Sequence, residues 1–217
     1  MRKPQKASIA LKQDILVAAE RLFKEFGYDN TTLQMIADEL NIVQGSVTYH
    51  FQNKHRIAHD IFERFRNLLH EYIRENMEDG FNYYYYYCIF FIYAYGEIMK
   101  RESNWKLFYH KDVIGVWKKE KMPLIEKMYQ LIMDDFRKSF TEEELHAIAV
   151  MDWGSRMHLF QEYTESGESM DIGKYCYYNV YLIGLLARLD EATIQKNIHG
   201  AFEFTDSHDS PTVYLLQ

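Results

Sequence analysis

The residues with the most specific chemistry lie between positions 44 and 50: Gln44, Gly45, Ser46, Thr48, Tyr49 and His50. A Gln amide carries a donor and an acceptor that together match the exposed edge of adenine. Ser and Thr hydroxyls serve either kind of edge, and the Thr methyl can touch a thymine methyl. A helix entering the major groove needs short side chains in its first turn, so that its backbone can approach base edges. Gly45 and Ser46 supply them. No Lys or Arg occurs from 44 to 51. Arg to guanine is the commonest base contact, so these residues point to an A·T-rich target. His50 and Lys54, at the exit of the stretch, are placed for phosphates. So are Thr31 and Thr32, at a helix start whose free amides attract anions.

These residues need a scaffold, and the apolar spacing provides one. Ile15, Ala19, Leu22, Phe23 and Phe26 recur on one face of a helix expected from Ser8 to Phe26, with Gly27 as its left-handed stop and a mobile basic arm before it. A second helix begins at "TTLQ", where Thr31 and Gln34 have capping-box spacing. It buries Leu33, Ile36, Ala37 and Leu40 and ends near Asn41. A third, short helix covers about 44–51, with Val47 and Phe51 turned inward. Two short helices joined by so tight a turn are the pattern of a helix-turn-helix. A fourth helix spans about 54–77, with an inner stripe of Ile57, Ile61, Phe65, Leu68, Leu69 and Tyr72.

Further along, residues 81–100 are apolar all round, which predicts burial on every side. Helices are expected over 104–118, 121–139, 142–163, 171–189 and 192–204, with Thr141 and Glu144 as a capping box. The tail 205–217 has no period and reads as loosely packed. Pro is rare (3) and Gly modest (10), which favours an all-α chain.

Of 217 residues, 47% are apolar, enough for a real core. The net charge of −7 argues against a general nucleic-acid binder. Its distribution matters more. Residues 1–56 hold eight Lys/Arg against six Asp/Glu, a balance of +2, and residues 57–217 hold 17 against 26, a balance of −9. Contact with DNA should therefore be confined to the first quarter. Two cysteines, Cys88 and Cys176, are too few for a disulfide framework, and no apolar leader is visible, which fits a cytoplasmic protein. The longest uncharged run is too short for a membrane span of about 20 residues.

The segment "ILVAAERLFKEFGYDNTTLQMIADELNIVQGSVTYHFQNKHRI", residues 15–57, resembles the DNA-binding domain of the tetracycline-repressor (TetR) family of transcription regulators. Its "GS" followed by "YHFQNK" is similar to the family's recognition helix and exit. One departure is plain. The family usually has a Tyr two places after the Ser or Thr that follows Gly; here Thr48 fills that place and Tyr49 stands one later.

The resemblance implies a three-helix DNA-binding domain at 1–53, a larger helical effector-binding and dimerisation domain at 54–204, and a tail at 205–217. It implies a homodimer on a double-stranded DNA operator, acting as a repressor released by a small-molecule effector. The helices at 142–163 and 171–189 are the dimer candidates, with Gly154 and Gly184 read as points of close helix crossing. The effector pocket is expected among Tyr84, Cys88, Phe91, Tyr95, Trp105, Phe108, Trp117, Met128, Trp153 and His158, because Tyr pairs a flat apolar body with a polar tip. The helix from about 54 to 77 is the expected lever between pocket and DNA.

The alternative is a helical activator or interaction module of the same fold with weakened DNA binding. An enzyme is disfavoured: the pair His55 and His59 lacks metal-site context, and no phosphate loop or nucleophile elbow is present. No cofactor is called for.

Overall fold

The computed structural model describes residues 3–78, 80–165, 171–208 and 213–216. Among these, ten α-helices and no strand occur. The chain divides into two compact units. The first takes in residues 3–67, 97–116 and 213–216; the second takes in 68–96 and 117–212 where described.

The first unit holds α1 (Lys3–Phe26), α2 (Leu33–Glu39), α3 (Gln44–His50), the start of α4 (Lys54–Asn76), the end of α5 (Tyr83–Met99), α6 (Glu102–Phe108) and the start of α7 (Lys111–Asp135). Helix α1 stops where expected, with Gly27 at φ 81°. It starts earlier than expected, at Lys3 rather than Ser8. Pro4 is no obstacle there, because a helix start leaves its first N–H groups unbonded anyway. The core is built from Ile15, Ala19, Leu22 and Phe23 of α1, Ile36 of α2, Val47 of α3 and Ile57 and Ile61 of α4, all buried. Phe26, read as part of the inner face, is exposed. Glu20 is buried against Arg64; burial pushes its carboxyl up and the guanidinium pulls it down.

Residues 97–116 complete this unit rather than joining the second. Phe108 meets Phe62 edge-on at 5.2 Å. The break between α6 and α7 falls at residues 109–110, not near 120, and α7 continues through Pro123. The run "KKEK" before that proline consists of good helix formers and carries the helix across the expected gap. The tail also differs from expectation. Leu215 and Leu216 are buried, and the Leu215 amide donates to Glu97. Residues 209–212 and 217 lie outside the described residues.

The second unit holds the remainder of α4, α5 and α7 with α8 (Glu142–Glu165), α9 (Ile172–Leu186) and α10 (Glu191–Ser207). The capping box of α8 forms as read: the Glu144 amide donates to Thr141 Oγ1 at 3.1 Å, and the Thr141 amide to Glu144 Oε2 at 2.9 Å. Asp171 and Asp190 cap α9 and α10. Helix α5 is less enclosed than its composition suggests: nine of its residues are buried and the other eight half-buried, with none exposed.

An unexpected feature sits in this core. Arg156 and Asp152, one turn apart on α8, are both buried and paired twice at 2.8 Å. The Tyr129 hydroxyl donates to Asp152 at 2.9 Å, Arg156 donates to the Tyr95 hydroxyl at 3.3 Å, and the guanidinium lies 4.3 Å from the Phe91 ring centre. A buried charge is tolerable only when paired and hydrogen-bonded in this way. Nearby burial pushes the Tyr129 and Tyr95 hydroxyls above the usual phenol range.

Gly184 of α9 is a true close approach, but within the chain. A Cβ there would lie 2.6 Å from both the Tyr84 hydroxyl and Ile194 Cγ1. The Tyr84 hydroxyl is held by the Val180 carbonyl at 3.0 Å and cannot simply swing away. Gly154 meets nothing within 4 Å. We predict that Gly184→Ala destabilises the fold by about 1–2 kcal/mol, overpacking outweighing the better helix propensity of Ala. Urea unfolding reads this; a neutral or stabilised variant would show that Tyr84 and Ile194 yield freely.

Candidate nucleic-acid interface

Helix α3 has seven residues, too few to persist alone in water. Its N-cap is Val43, which offers no side-chain bond. The turn before it does the positioning. Leu40 closes α2 on the Ala37 carbonyl, Asn41 takes φ 53°, and the Ile42 amide returns to Ala37 at 3.0 Å. Asn tolerates this left-handed conformation because its short side chain can bond locally. Val47 is then fully buried and Phe51, at the C-cap, nearly so. The Phe51 amide closes the helix on Val47 at 2.8 Å.

With those two pegs inward, the opposite side faces water. Gln44, Gly45, Thr48 and Tyr49 are exposed; Ser46 and His50 are half-buried. Tyr49 is 83% exposed and stacks edge-on with His50 at 5.3 Å. An aromatic this exposed at a helix end has no folding role. Its exposure answers the register shift noted in the sequence, because position 49 rather than 48 carries the outward ring. The Thr48 hydroxyl donates to the Gln44 carbonyl at 3.1 Å, which leaves its lone pairs available to accept.

Two of the phosphate candidates are placed differently from expectation. Thr31 is buried; its hydroxyl lies 2.8 Å from the Gly27 carbonyl and 3.2 Å from that of Leu22. The N-cap of α2 is Thr32, which accepts from the Met35 amide at 3.1 Å, and Gln34 bonds Asp38 instead of reaching back. Thr32 stays exposed. Lys54 is turned into the domain. Its ammonium reaches the carbonyls of Tyr28 at 2.5 Å, Thr31 at 2.8 Å and Asp29 at 3.4 Å, and sits 4.2 Å from the Tyr28 ring centre. All three of its hydrogens are thereby used inside the protein. Desolvation lowers its pKa, with Asp29 and Asp112 opposing.

Tyr28 is the hub of that corner. Its hydroxyl bonds His55 Nδ1 at 2.6 Å, His110 packs on its ring at 4.6 Å, and His110 Nε2 reaches Asp29 at 2.9 Å. His59 pairs with Asp60 at 3.1 Å, so the two histidines read as a possible metal pair go to separate partners.

The expected effector residues divide between the units. Tyr84, Cys88, Tyr95 and Met128 are buried in the second unit, Phe91 and Trp153 half-buried, and His158 exposed. Trp105 and Phe108 belong to the first unit. The Trp117 side chain lies outside the described residues. Burial pushes both thiols up, that of Cys176 to about 12, as inert core thiols require. Sequence reasoning missed Asp152 and Arg156; their signal was an i, i+4 charge pair, which ordinarily marks a solvated face.

Residues 15–61 match the family model "Bacterial regulatory proteins, tetR family". The chain is 35% identical over 72 residues to IcaR, the negative transcriptional regulator of the biofilm operon icaADBC in Staphylococcus epidermidis; that stretch is 33% of this chain and 39% of IcaR. It is 28% identical over 116 residues to the probable acrEF/envCD operon repressor of Escherichia coli K12, covering 51% of this chain and 53% of that protein. The chain thus spans about two fifths to one half of the length of the curated relatives it matches. In fold it is similar to SmeT, repressor of the multidrug efflux pump SmeDEF of Stenotrophomonas maltophilia, also solved with triclosan: TM-score 0.55 at 19% identity, covering 80% of this chain and 88% of that one. Helix-turn-helix, all-helical architecture and family match together define the class of the N-terminal domain: residues 15–61 are a DNA-binding domain of the tetR-family type.

Gln44→Ala is predicted to weaken binding to a preferred duplex by about 1–3 kcal/mol and to relax preference at one base position. Thr31→Val is predicted to cost about 1–2 kcal/mol of folding stability, by orphaning buried carbonyls, with duplex affinity of the folded protein unchanged. Equilibrium binding and thermal unfolding of both variants separate the two roles; a Thr31 variant that folds normally but binds DNA poorly would restore the phosphate contact.

Proposed function

We propose that the chain is a sequence-specific transcriptional repressor that binds a double-stranded operator as a homodimer and leaves it when a small molecule binds the second unit. The observation that carries this is the α3 tip: Gln44, Gly45, Thr48 and Tyr49 in water, fixed by Val47 and Phe51 in the core. In this reading Gln44, Ser46 and Thr48 read base edges, Gly45 allows close approach, and Tyr49, His50 and Thr32 position the backbone. Repression is the role named for IcaR and for the acrEF/envCD regulator.

The dimer reading rests on the exposed apolar side chains of α8 and α9. Val150 and Met151 of α8 and Tyr178 and Leu185 of α9 are each between 42% and 49% exposed, and the exposed Gly154 of α8 has open space where a Cβ would stand. Large apolar side chains left in water on two long helices are what a partner helix pair would cover. The effector reading rests on Phe91 and Tyr95 against the Arg156–Asp152 pair, an aromatic setting suited to a flat, partly polar molecule; SmeT is known in complex with triclosan.

Selection of bound sites from random duplexes tests the proposal. Expected is a dyad-symmetric site with half-sites one helical turn apart, about 34–36 Å, and A·T-rich contacted positions. Single isolated half-sites would remove the dimer, guanine at the contacted positions would remove the readout, and no enrichment would remove the function.

A further inference from the structure

Helix α6 has seven residues, and Arg101 at its N-cap offers no side-chain bond. Like α3 it is too short to persist alone in water, so its neighbours set its position. Its far end is fixed to the helix-turn-helix. Phe108 meets Phe62 of α4 at 5.2 Å; His110, just past the helix, reaches Asp29 at 2.9 Å and packs on the Tyr28 ring at 4.6 Å. Its near end is fixed by a knot around Glu97. Asn104, buried in the first turn, donates from Nδ2 to the Glu97 carbonyl at 2.9 Å and to Glu97 Oε1 at 3.3 Å. The same carboxylate oxygen accepts from the Leu215 amide at 3.3 Å.

Residues 213–216 are the third party to that knot. They form neither helix nor strand. Yet Leu215 is 0% and Leu216 1% exposed, while the neighbouring Tyr214 is 41% exposed. Two leucines taken out of water are the main hold of this segment, and the bond from the Leu215 amide sets its register. The knot also carries a cost. Asn104 Oδ1 is buried and meets no donor among the described residues, and a buried acceptor left unpaired destabilises. The start of α6 is thus held against a local penalty and loosens when the leucines leave. The chain comes to residue 213 from α10, which ends at Ser207 in the second unit.

We infer that residues 213–216 are a strap that fixes α6, and through it holds the helix-turn-helix in its duplex-binding form. Leu215 and Leu216 lock the strap, and Glu97 is the positioning residue that joins it to Asn104. This rests on the DNA-binding reading above and adds a control that it did not include. A change that draws on the end of α10 lifts the two leucines. The start of α6 is then free, and the hold of Phe108 on α4 and of His110 on the α1–α2 turn slackens. Seated, the strap favours the binding form; lifted, it removes that preference. Its effect equals the difference in stability that it makes between the two forms.

The test uses the full chain and a duplex enriched by selection. The double variant Leu215→Ser, Leu216→Ser is expected to stay folded and to bind about tenfold more weakly, the scale of a typical coupling between sites. Its α6 amides are expected to exchange hydrogen faster than in wild type, while those of α9 keep their protection. Tyr214→Ser, which changes an exposed side chain of the same segment, is the control and is expected to match wild type in both readouts. Glu97→Gln keeps an acceptor for Leu215 and Asn104 and is expected to bind like wild type; Glu97→Leu removes it and is expected to follow the double variant. Faster α6 exchange with undiminished affinity would make the segment structural only and overturn the strap. So would unchanged exchange and affinity, or a Glu97→Gln loss equal to that of Glu97→Leu. Leu216→Ala, a milder cut, decides if the double variant does not fold: weaker binding with faster α6 exchange supports the strap, and unchanged binding overturns it. Failure of wild type to prefer any duplex would instead overturn the DNA-binding reading itself.

Discussion

A seven-residue helix cannot hold its own shape in water, so something outside α3 must hold it. Val47 and Phe51 do this. Four residues apart, they lie on one side of the helix, and both are buried in the first unit. Their burial fixes rotation as well as position, because a helix pinned at i and i+4 has one face left to offer. That face carries Gln44, Gly45, Thr48 and Tyr49. Everything proposed about reading bases follows from this constraint. Slip the pegs by one residue, and Thr48 would go inside while Val47 met water.

The surrounding architecture serves the same end by different means. The turn between α1 and α2 is tied as well as packed: Lys54 gathers three carbonyls, and the Thr31 hydroxyl lies against two more. A cation over the Tyr28 ring adds to the closure. Polar groups that looked available for DNA are thus consumed in building the domain that presents the others. In the second unit the logic is similar, with a buried Arg156–Asp152 pair doing what an apolar pair of equal volume would do at less desolvation cost. Such pairs fix one arrangement of their neighbours, here Tyr129 and Tyr95.

Much of this was legible from residue order. Periodicity located α1 through α5 to within a few residues, and it separated Val47 and Phe51 from the exposed tip. Gly27 and Asn41 took the left-handed conformations that their types suggested. The Thr141–Glu144 box formed as written, because it is a local bond with no competitor. What failed depended on tertiary context. Thr31 and Thr32 are both competent caps, and only the fold decides which one turns inward. Lys54 reads as a surface charge until the carbonyls around it are known. Asp152 and Arg156 have the spacing of a solvated helix pair, and nothing local reports that both are buried. Lys12 and Asp60 are 48 positions apart, so the ion pair they form had no local signal.

The central claim is that the charge-poor tip of α3 meets duplex DNA while its pegs stay in the core. Amide chemical shifts of isotope-labelled protein, followed as a bound duplex is titrated in, measure this residue by residue. The account predicts large changes at 44–46, 48 and 49, with Val47 and Phe51 retaining their slow hydrogen exchange. Duplex binding that leaves the tip amides unmoved, or that exposes the two pegs, would contradict it.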